Sequence, residues 1–123
     1  MTPTISSLLS RVRAASGPDR ELDAEIAALI GYREPHYDCL WSEFKEKFPK
    51  ATPWSEIPRW SASIDAAVAL VERVGYAVHT IHRSKSGLWS VTLEPNGESE
   101  GLRLLPLAIL AALLSALDQK EST

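Results

Sequence analysis

Cysteine is nearly absent from the sequence, and basic residues do not outnumber acidic ones. Because Cys39 is the only cysteine, no disulfide can form within the chain, and a reducing compartment such as the cytosol suits it. The formal net charge of −3 argues against a protein that grips long nucleic acid through a broad basic face. A small local basic patch is compatible with that charge.

No segment predicts a membrane span or a secretion signal. The uncharged run at residues 104–117 has about 14 residues, whereas a membrane-spanning helix requires roughly 20. The first residues, MTPTISSLLSRVRAA, lack a basic segment followed by a long apolar run. We therefore expect a soluble intracellular protein that makes no membrane contact.

The motifs of the common catalytic and metal sites are missing as well. The sequence has neither GxGxxG nor GxxxxGK followed by Ser or Thr, and it has no CxxC, HExxH or HxxxH. His36, Asp38 and Cys39 could supply zinc donors, but no second pair of ligands accompanies them, so we interpret them as ordinary loop residues. No serine lies in GxSxG, and nothing marks a histidine as a base. We predict a protein without catalytic activity, cofactor or metal.

The clearest positive pattern is an amphipathic helix between residues 60 and 75. Ser61 is placed to cap its start, because a serine hydroxyl can accept from an amide of the first turn. Gly75 is placed to end it in a left-handed conformation. Helical spacing predicts one buried stripe, made of Ile64, Ala67, Val68, Val71 and Val74.

A β-hairpin is predicted directly after this helix. The strand Tyr76–Arg83 leads into a turn at residues 84–87, and a second strand follows to Glu94. In the second strand, Trp89, Val91 and Leu93 alternate with polar residues and should face the helix. Residues 96–101 are predicted to be an exposed polar loop, and residues 102–105 a short third strand.

Three further helices flank this unit. Residues 4–15 form the first, and RELDAEIAALI forms the second, capped by Asp19, with its acidic residues Glu21, Asp23 and Glu25 on a solvated face. The last begins at Pro106 and is apolar almost all round, so the first two helices or another subunit must cover it. Since an isolated hairpin is marginal, we expect a homodimer or higher homo-oligomer, with Leu110 and Leu114 facing the partner.

These elements predict one domain over residues 1–123, with an α+β fold. Its parts are an N-terminal helical pair at residues 1–31, an irregular aromatic-rich insert at 32–58 and a helix–hairpin–helix core at 59–119. The core is a small antiparallel β-hairpin or three-stranded sheet layered between α-helices. The insert contains Trp41 and Trp54, and its aromatic residues either line a ligand slot or form the core of a structural flap.

Three segments carry a family resemblance. They are GPDRELDAEIA at residues 17–27, WSASIDAAVALVE at 60–72 with the glycine and strand pair that follow, and PLAILAALLSAL at 106–117. In this order they resemble the phage ABA sandwich domain family, small proteins of tailed phages and prophages. The resemblance implies an α/β/α layered domain, a phage or prophage origin and a place in the host cytosol. It implies no catalytic residue.

The candidate binding surface is the hairpin, together with nearby tryptophans. Cationic or near-cationic side chains gather toward its tip in an otherwise acidic chain, and aromatic side chains stand beside them, so phosphate donors and stacking rings could lie together. A solvated tip whose charges discourage edge-to-edge pairing is the alternative. The candidate residues are Trp54, Trp60, Tyr76, His79, His82, Arg83, Lys85 and Trp89.

Two functional hypotheses follow from this surface. In the first, the protein sequesters a small nucleotide-like ligand, such as a host anti-phage defence signal, between the hairpin and the Tyr32–Trp60 region. Arg83 and Lys85 would hold the phosphates, with Trp54 or Trp60 against the base. In the second, the protein is an inhibitor or adaptor that covers a host protein with its aromatic-rich surface.

Overall fold

Four helices and two antiparallel sheets make up the part of the chain that the structure describes. This structure is a computed structural model, and it describes residues 4–30, 33–34, 39–40 and 58–122. The elements are α1 (Ile5–Ala14), α2 (Arg20–Ile30), β1 (Arg33–Glu34), β2 (Cys39–Leu40), α3 (Ile64–Arg73), β3 (Ala77–Arg83), β4 (Trp89–Glu94), β5 (Glu98–Leu102) and α4 (Leu105–Ser122). β1 pairs with β2, and β3, β4 and β5 form a three-stranded sheet in that order. The predicted α+β fold with a three-stranded antiparallel sheet is confirmed.

Helix α4 lies at the centre of the domain. Every side chain from Leu107 to Leu114 is buried, because the sequence there has no polar face to present to water. α1 and α3 pack against this helix, and so do β4 and β5. Leu110 and Leu114 are each only 1% exposed within the single chain. The chain itself covers the helix, so its apolar surface is no longer a reason to expect these leucines to face a second subunit.

Helix α3 starts later than the sequence predicts. Residues 60–62 form a turn, and Ser63 rather than Ser61 caps the helix by accepting from the Ala66 N–H at 3.2 Å. Ile64 is therefore the first helical residue and has no preceding turn to lie over, so it is 45% exposed instead of forming part of the buried stripe. Its place in the stripe is taken by Leu70, which is 1% exposed.

The end of α3 follows the prediction. Gly75 has a φ of 99°, and its N–H donates to the carbonyl of Glu72 at 3.1 Å. The N–H of Tyr76 donates to the carbonyl of Val71 at 3.0 Å. These two bonds satisfy carbonyls that the helix end would otherwise leave unpaired. They also turn the chain directly into β3.

The three-stranded sheet rests on α4 through the face that was predicted to be buried. Val91 is 0% and Leu93 4% exposed, while Trp89 is half-buried. The third strand, however, is at Glu98–Leu102, where a polar loop was predicted. Ser99 explains this difference, because its hydroxyl is buried and donates to the Ala108 carbonyl of α4 at 2.6 Å. The polar residue at the inward position is satisfied by the helix it faces.

The other face of the sheet carries no layer of described helices. Ala77, Thr80 and His82 lie on it and are exposed. The helical layer that we predicted for both faces is thus present on one face within the described residues. β3 is an edge strand, and Ile81 is 41% exposed although it lies directly opposite the buried Val91. The outer half of β3 therefore extends past the helices beneath the sheet.

The turn between β4 and β5 touches α4 through a glycine. A Cβ atom on Gly97 would lie 2.6 Å from the Cβ of Ala116 and 2.7 Å from the carbonyl oxygen of Ala112. Gly97 also has a φ of 111°, which residues with a side chain rarely adopt. This position therefore admits only glycine for two separate reasons.

We expect Val91→Ala to lower the free energy of unfolding by about 1–3 kcal/mol, through lost apolar burial and a cavity under the sheet. Ile81→Ala is the matched control, since Ile81 faces the same side from the neighbouring strand but is 41% exposed. Urea denaturation of both variants measures the difference. Equal losses would show that the sheet does not bury the Val91 face.

We expect Gly97→Ala to destabilise the domain by about 1–3 kcal/mol more than Gly101→Ala, because only the former adds overpacking against α4 to backbone strain. Gly101 also has a positive φ, of 76°, but no atom lies within 4 Å of its added Cβ. Thermal and urea unfolding of the two variants would provide the comparison. Similar stabilities would contradict the close approach of this turn to the helix.

Candidate functional site

The hairpin tip is held by backbone and side-chain hydrogen bonds within residues 84–88. The Ser84 N–H donates to the Leu88 carbonyl at 2.8 Å, and the Gly87 N–H donates to the Ser84 carbonyl at 3.0 Å. The Ser84 hydroxyl also accepts from the Leu88 N–H at 3.1 Å. This closed turn fixes the register in which Arg83 stands directly opposite Trp89.

Arg83 and Trp89 make a cation–π contact across the two strands. The guanidinium carbon of Arg83 lies 5.6 Å from the centroid of the Trp89 ring. A guanidinium that rests with its plane near an aromatic ring still has its N–H groups available at its edge. Trp89 thus restricts the movement of Arg83 without consuming the donors that an oxyanion would need.

The tip is a compact cationic end of an acidic chain. Lys85 is exposed in the turn that follows Arg83, and His82 is exposed on the opposite face of β3. The sequence from His82 to Leu93 contains no acidic residue. The net charge of the whole chain is −3, so this stretch differs in sign from the average surface. A small anion would be attracted here more than to most of the surface.

The structure does not bring all eight candidate residues together. Tyr76 and Arg83 are seven residues apart on an extended segment, which corresponds to about 23 Å. His79 lies nearer the base of the hairpin, where its Nδ1 atom is 2.8 Å from the Glu94 carboxylate. Four of the candidates share the tip, and they are His82, Arg83, Lys85 and Trp89.

Of the two other candidate tryptophans, Trp60 and Trp54, the structure describes only Trp60. Trp60 is 2% exposed and belongs to the hydrophobic core, so its ring is not accessible to a ligand. The sequence suggested otherwise because Trp60 borders an irregular segment whose aromatic residues could line a slot. Trp54 lies outside the described residues.

Tyr76 lines a cleft at the opposite end of the sheet from the tip. The cleft has a volume of about 740 Å³ and adjoins a more apolar one of about 540 Å³, with Val74 and Lys120 shared by both. The larger cleft lies where α3 and α4 end beside the turn after β4. Its lining residues are Val74, Gly75, Tyr76, Pro95, Asn96, Asp118, Gln119 and Lys120.

A buried polar cluster joins the start of α2 to the turn before α3. Asp23 is 0% exposed, which corrects our prediction that it lies on a solvated face. Its carboxylate accepts from the Ser61 N–H at 2.9 Å and from the Arg20 guanidinium at 2.9 Å. The Ser61 hydroxyl accepts from the Asp19 N–H at 2.9 Å and donates to the Asp19 carbonyl at 3.2 Å. Ser61, the residue predicted to cap α3, therefore anchors α2.

Burial raises the pKa of the Asp23 carboxyl above its ordinary value of 3.8. The hydrogen bonds from Ser61 and the charge of Arg20 act in the opposite direction, because both favour the carboxylate. The geometry of this cluster is structural, since the bonds between Asp23 and Ser61 and between Asp19 and Ser61 join α2 to the turn before α3. The sequence signal that could have revealed it is the apolar position of Asp23 between Leu22 and Ala24 on the buried side of α2.

Among the described residues, no group of three His, Cys, Asp or Glu side chains could hold a metal ion. His36 and Asp38, two of the three possible zinc donors in the sequence, lie outside the residues that the structure describes. Of the helices in the described part, none is long and apolar enough to cross a membrane.

Comparisons with known proteins do not assign the chain to a family. No family model matches it, and neither a curated protein nor a solved structure gives a match. The resemblance to phage ABA sandwich proteins therefore stays a prediction from the three quoted segments.

We expect Asp23→Asn to remove part of the pH dependence of stability. A raised pKa means that the folded chain holds this proton more tightly than the unfolded chain does, so the stabilisation is present below pH 3.8 and is lost as pH rises through the folded pKa. Asparagine keeps an acceptor for the Ser61 N–H but does not titrate. The free energy of unfolding of wild type minus that of Asp23→Asn should therefore fall as pH rises from about 3.5 to 7.

Urea denaturation at several pH values measures this difference, and subtraction removes the titration of all other groups. A difference that rises with pH would mean that the contact with Arg20 outweighs the desolvation of the carboxylate, and that folding lowers the pKa of Asp23 instead of raising it.

Proposed function

We propose that this protein binds a small nucleotide-like ligand without converting it chemically, and that the cationic hairpin tip contacts the phosphates. The observation that carries the proposal is the Arg83 guanidinium placed over Trp89 in a hairpin segment, His82 to Leu93, that has no acidic residue. Arginine edges match the oxygen geometry of phosphate, and each such charge-assisted bond is stronger than a neutral one. Lys85 adds a donor from the adjoining turn, whereas His82 lies on the opposite face of the sheet.

Trp89 takes a different role in this proposal from the one the sequence suggested. Its ring faces Arg83, so it positions the phosphate-binding arginine and does not offer that face to a base. The buried Trp60 is excluded as a stacking partner. Stacking of the base then falls to Trp54, the other tryptophan that we predicted for this role, or to the outer plane of the Arg83 guanidinium.

The biological setting is a further part of the proposal. The resemblance of the three segments to phage proteins supports a phage or prophage origin and, with it, a location in the host cytosol. There, a binding protein without catalytic motifs would act by lowering the free concentration of a nucleotide defence signal. Such sequestration requires only that the protein binds the ligand tightly and is abundant, because the ligand is not converted and is released unchanged.

A protein-binding inhibitor or adaptor is the second candidate, and the edge strand favours it. Ile81 is 41% exposed on β3, which pairs only with β4 within the described part of the chain. An open strand edge with an exposed aliphatic side chain can accept a strand from another protein. Under this proposal Ile81, rather than Arg83, supplies the affinity.

We expect calorimetry to detect binding of one or more cyclic nucleotides or ADP-ribose-type nucleotides, and Arg83→Gln to weaken it at least about tenfold. The physical reason is the loss of charge-assisted hydrogen bonds, whereas the exposed position of Arg83 should leave the fold intact. Arg73→Gln, which removes the same charge at the opposite end of the hairpin, is the control and should change the affinity by less than about twofold.

Mass spectrometry of the recovered ligand should show no chemical change. Absence of heat with every nucleotide would reject the proposal. If a host protein is then captured and Ile81→Asp abolishes that capture while Arg83→Gln does not, the protein-binding candidate replaces it.

A further inference from the structure

Another cleft, separate from the two already described, lies between the end of α1 and the turn that joins β5 to α4. This cleft has a volume of about 390 Å³, within the range of small-molecule sites. Arg13, in the last turn of α1, and Arg103, in the turn before α4, both line it.

Within residues 4–30 and 58–122, Arg13 and Arg103 have no ion-pair partner, in contrast to Arg11 and Arg20. Arg11 forms ion pairs with Asp19 and Glu25, and Arg20 pairs with Asp23. No acidic side chain is among the residues that line the cleft. A cation in the last turn of a helix is favoured by the helix dipole, which accounts for Arg13. The same effect does not account for Arg103, which precedes a helix.

Three leucines line part of the cleft. Leu104 is 37% exposed although it is a large aliphatic residue, and Leu102 is half-buried. Leu107 is only 2% exposed, so Leu102 and Leu104 supply the accessible aliphatic surface. A bare inorganic anion would contact the arginines but would leave this aliphatic surface in water. An occupant that carries an apolar body as well as an oxyanion would cover both parts of the site.

We propose that the Arg13–Arg103 cleft binds a small organic oxyanion, with its charged group on the two arginines and its apolar body on Leu102 and Leu104. The volume is at the lower end of the range of small-molecule sites, which suits an apolar body such as a single ring. Leu102 lies directly opposite Trp89, so the cleft borders the Arg83–Trp89 pair, but its lining includes neither of those residues. The inference therefore does not depend on the proposed nucleotide binding.

The test uses phenyl phosphate as the probe and inorganic phosphate as its counterpart without an apolar body. Titration of the isotope-labelled full chain should give saturable shifts of the Leu102, Arg103 and Leu104 amide signals. Phenyl phosphate should bind at least about tenfold more tightly than inorganic phosphate, because burial of its ring adds apolar stabilisation. Arg103→Gln and Arg13→Gln should each weaken phenyl phosphate binding about tenfold, and Arg103→Lys should lose less because it keeps the charge.

A charge-matched control makes the result specific. Arg73→Gln removes the same charge at the end of α3, outside the lining of the cleft, and should change phenyl phosphate affinity by less than about twofold. Equal losses in all three glutamine variants would show general electrostatic attraction and overturn the proposal. Equal affinity for the two probes, or no saturable shift at the named amides, would overturn it as well. Loss of nucleotide binding in the Arg83→Gln variant concerns only the proposed nucleotide-binding function and does not test the Arg13–Arg103 cleft.

Discussion

The structure depends on one constraint, which is that α4 has no side that can face water between Leu107 and Leu114. Each leucine or isoleucine fully buried there contributes about 1.5–3 kcal/mol, and the contribution is available only if other elements enclose the helix. α1 and α3 approach it as helices, while β4 and β5 cover it as a sheet. Because the sheet helps to enclose α4, its face with Val91 and Leu93 is buried, and the turn between β4 and β5 lies close against the helix.

The same constraint shows what the sequence could predict. Hydrophobic periodicity is local, so it predicted helix α1 and the inward face of β4, and Gly75 marked the end of α3. It could not show which elements enclose α4, because a helix that is apolar all round presents the same pattern to its own chain and to another subunit. Even so, the α+β class and the three-stranded sheet were predictable from the order of elements.

Long-range polar contacts account for most of the differences between the predicted and the observed elements. Ser61 resembles a helix cap by its position before an apolar stripe, but its hydroxyl is engaged by Asp19, 42 residues earlier in the chain. Strand β5 was missed because Glu98, Ser99 and Glu100 have low β-propensity, and the bond from Ser99 to α4 is not visible in the local pattern. The Asn96-Gly97 pair before β5 was the available signal, since it is typical of hairpin turns.

The sequence predicted which residue types form the candidate site, but it did not predict how their side chains are arranged. The sequence placed donors and aromatic rings near the hairpin tip, and four of the eight candidates do share it. That Trp89 faces Arg83 follows from strand register, which depends on the turn at residues 84–88 and cannot be read from residue types alone. The Arg13–Arg103 cleft was missed because its two arginines are 90 residues apart and meet only when α1 packs beside α4.

The contact of Gly97 with Ala112 and Ala116 has a consequence for how this sequence can diverge. The two alanines are one helical turn apart and meet the same turn of the sheet, so enlarging any one of the three residues fills space that the other two already occupy. Substitutions at such touching positions are not additive, and the effect of one depends on which residues stand at the others. Because position 97 is held to glycine, positions 112 and 116 should both stay small in descendants of this chain, since enlarging either alanine would displace the turn between β4 and β5.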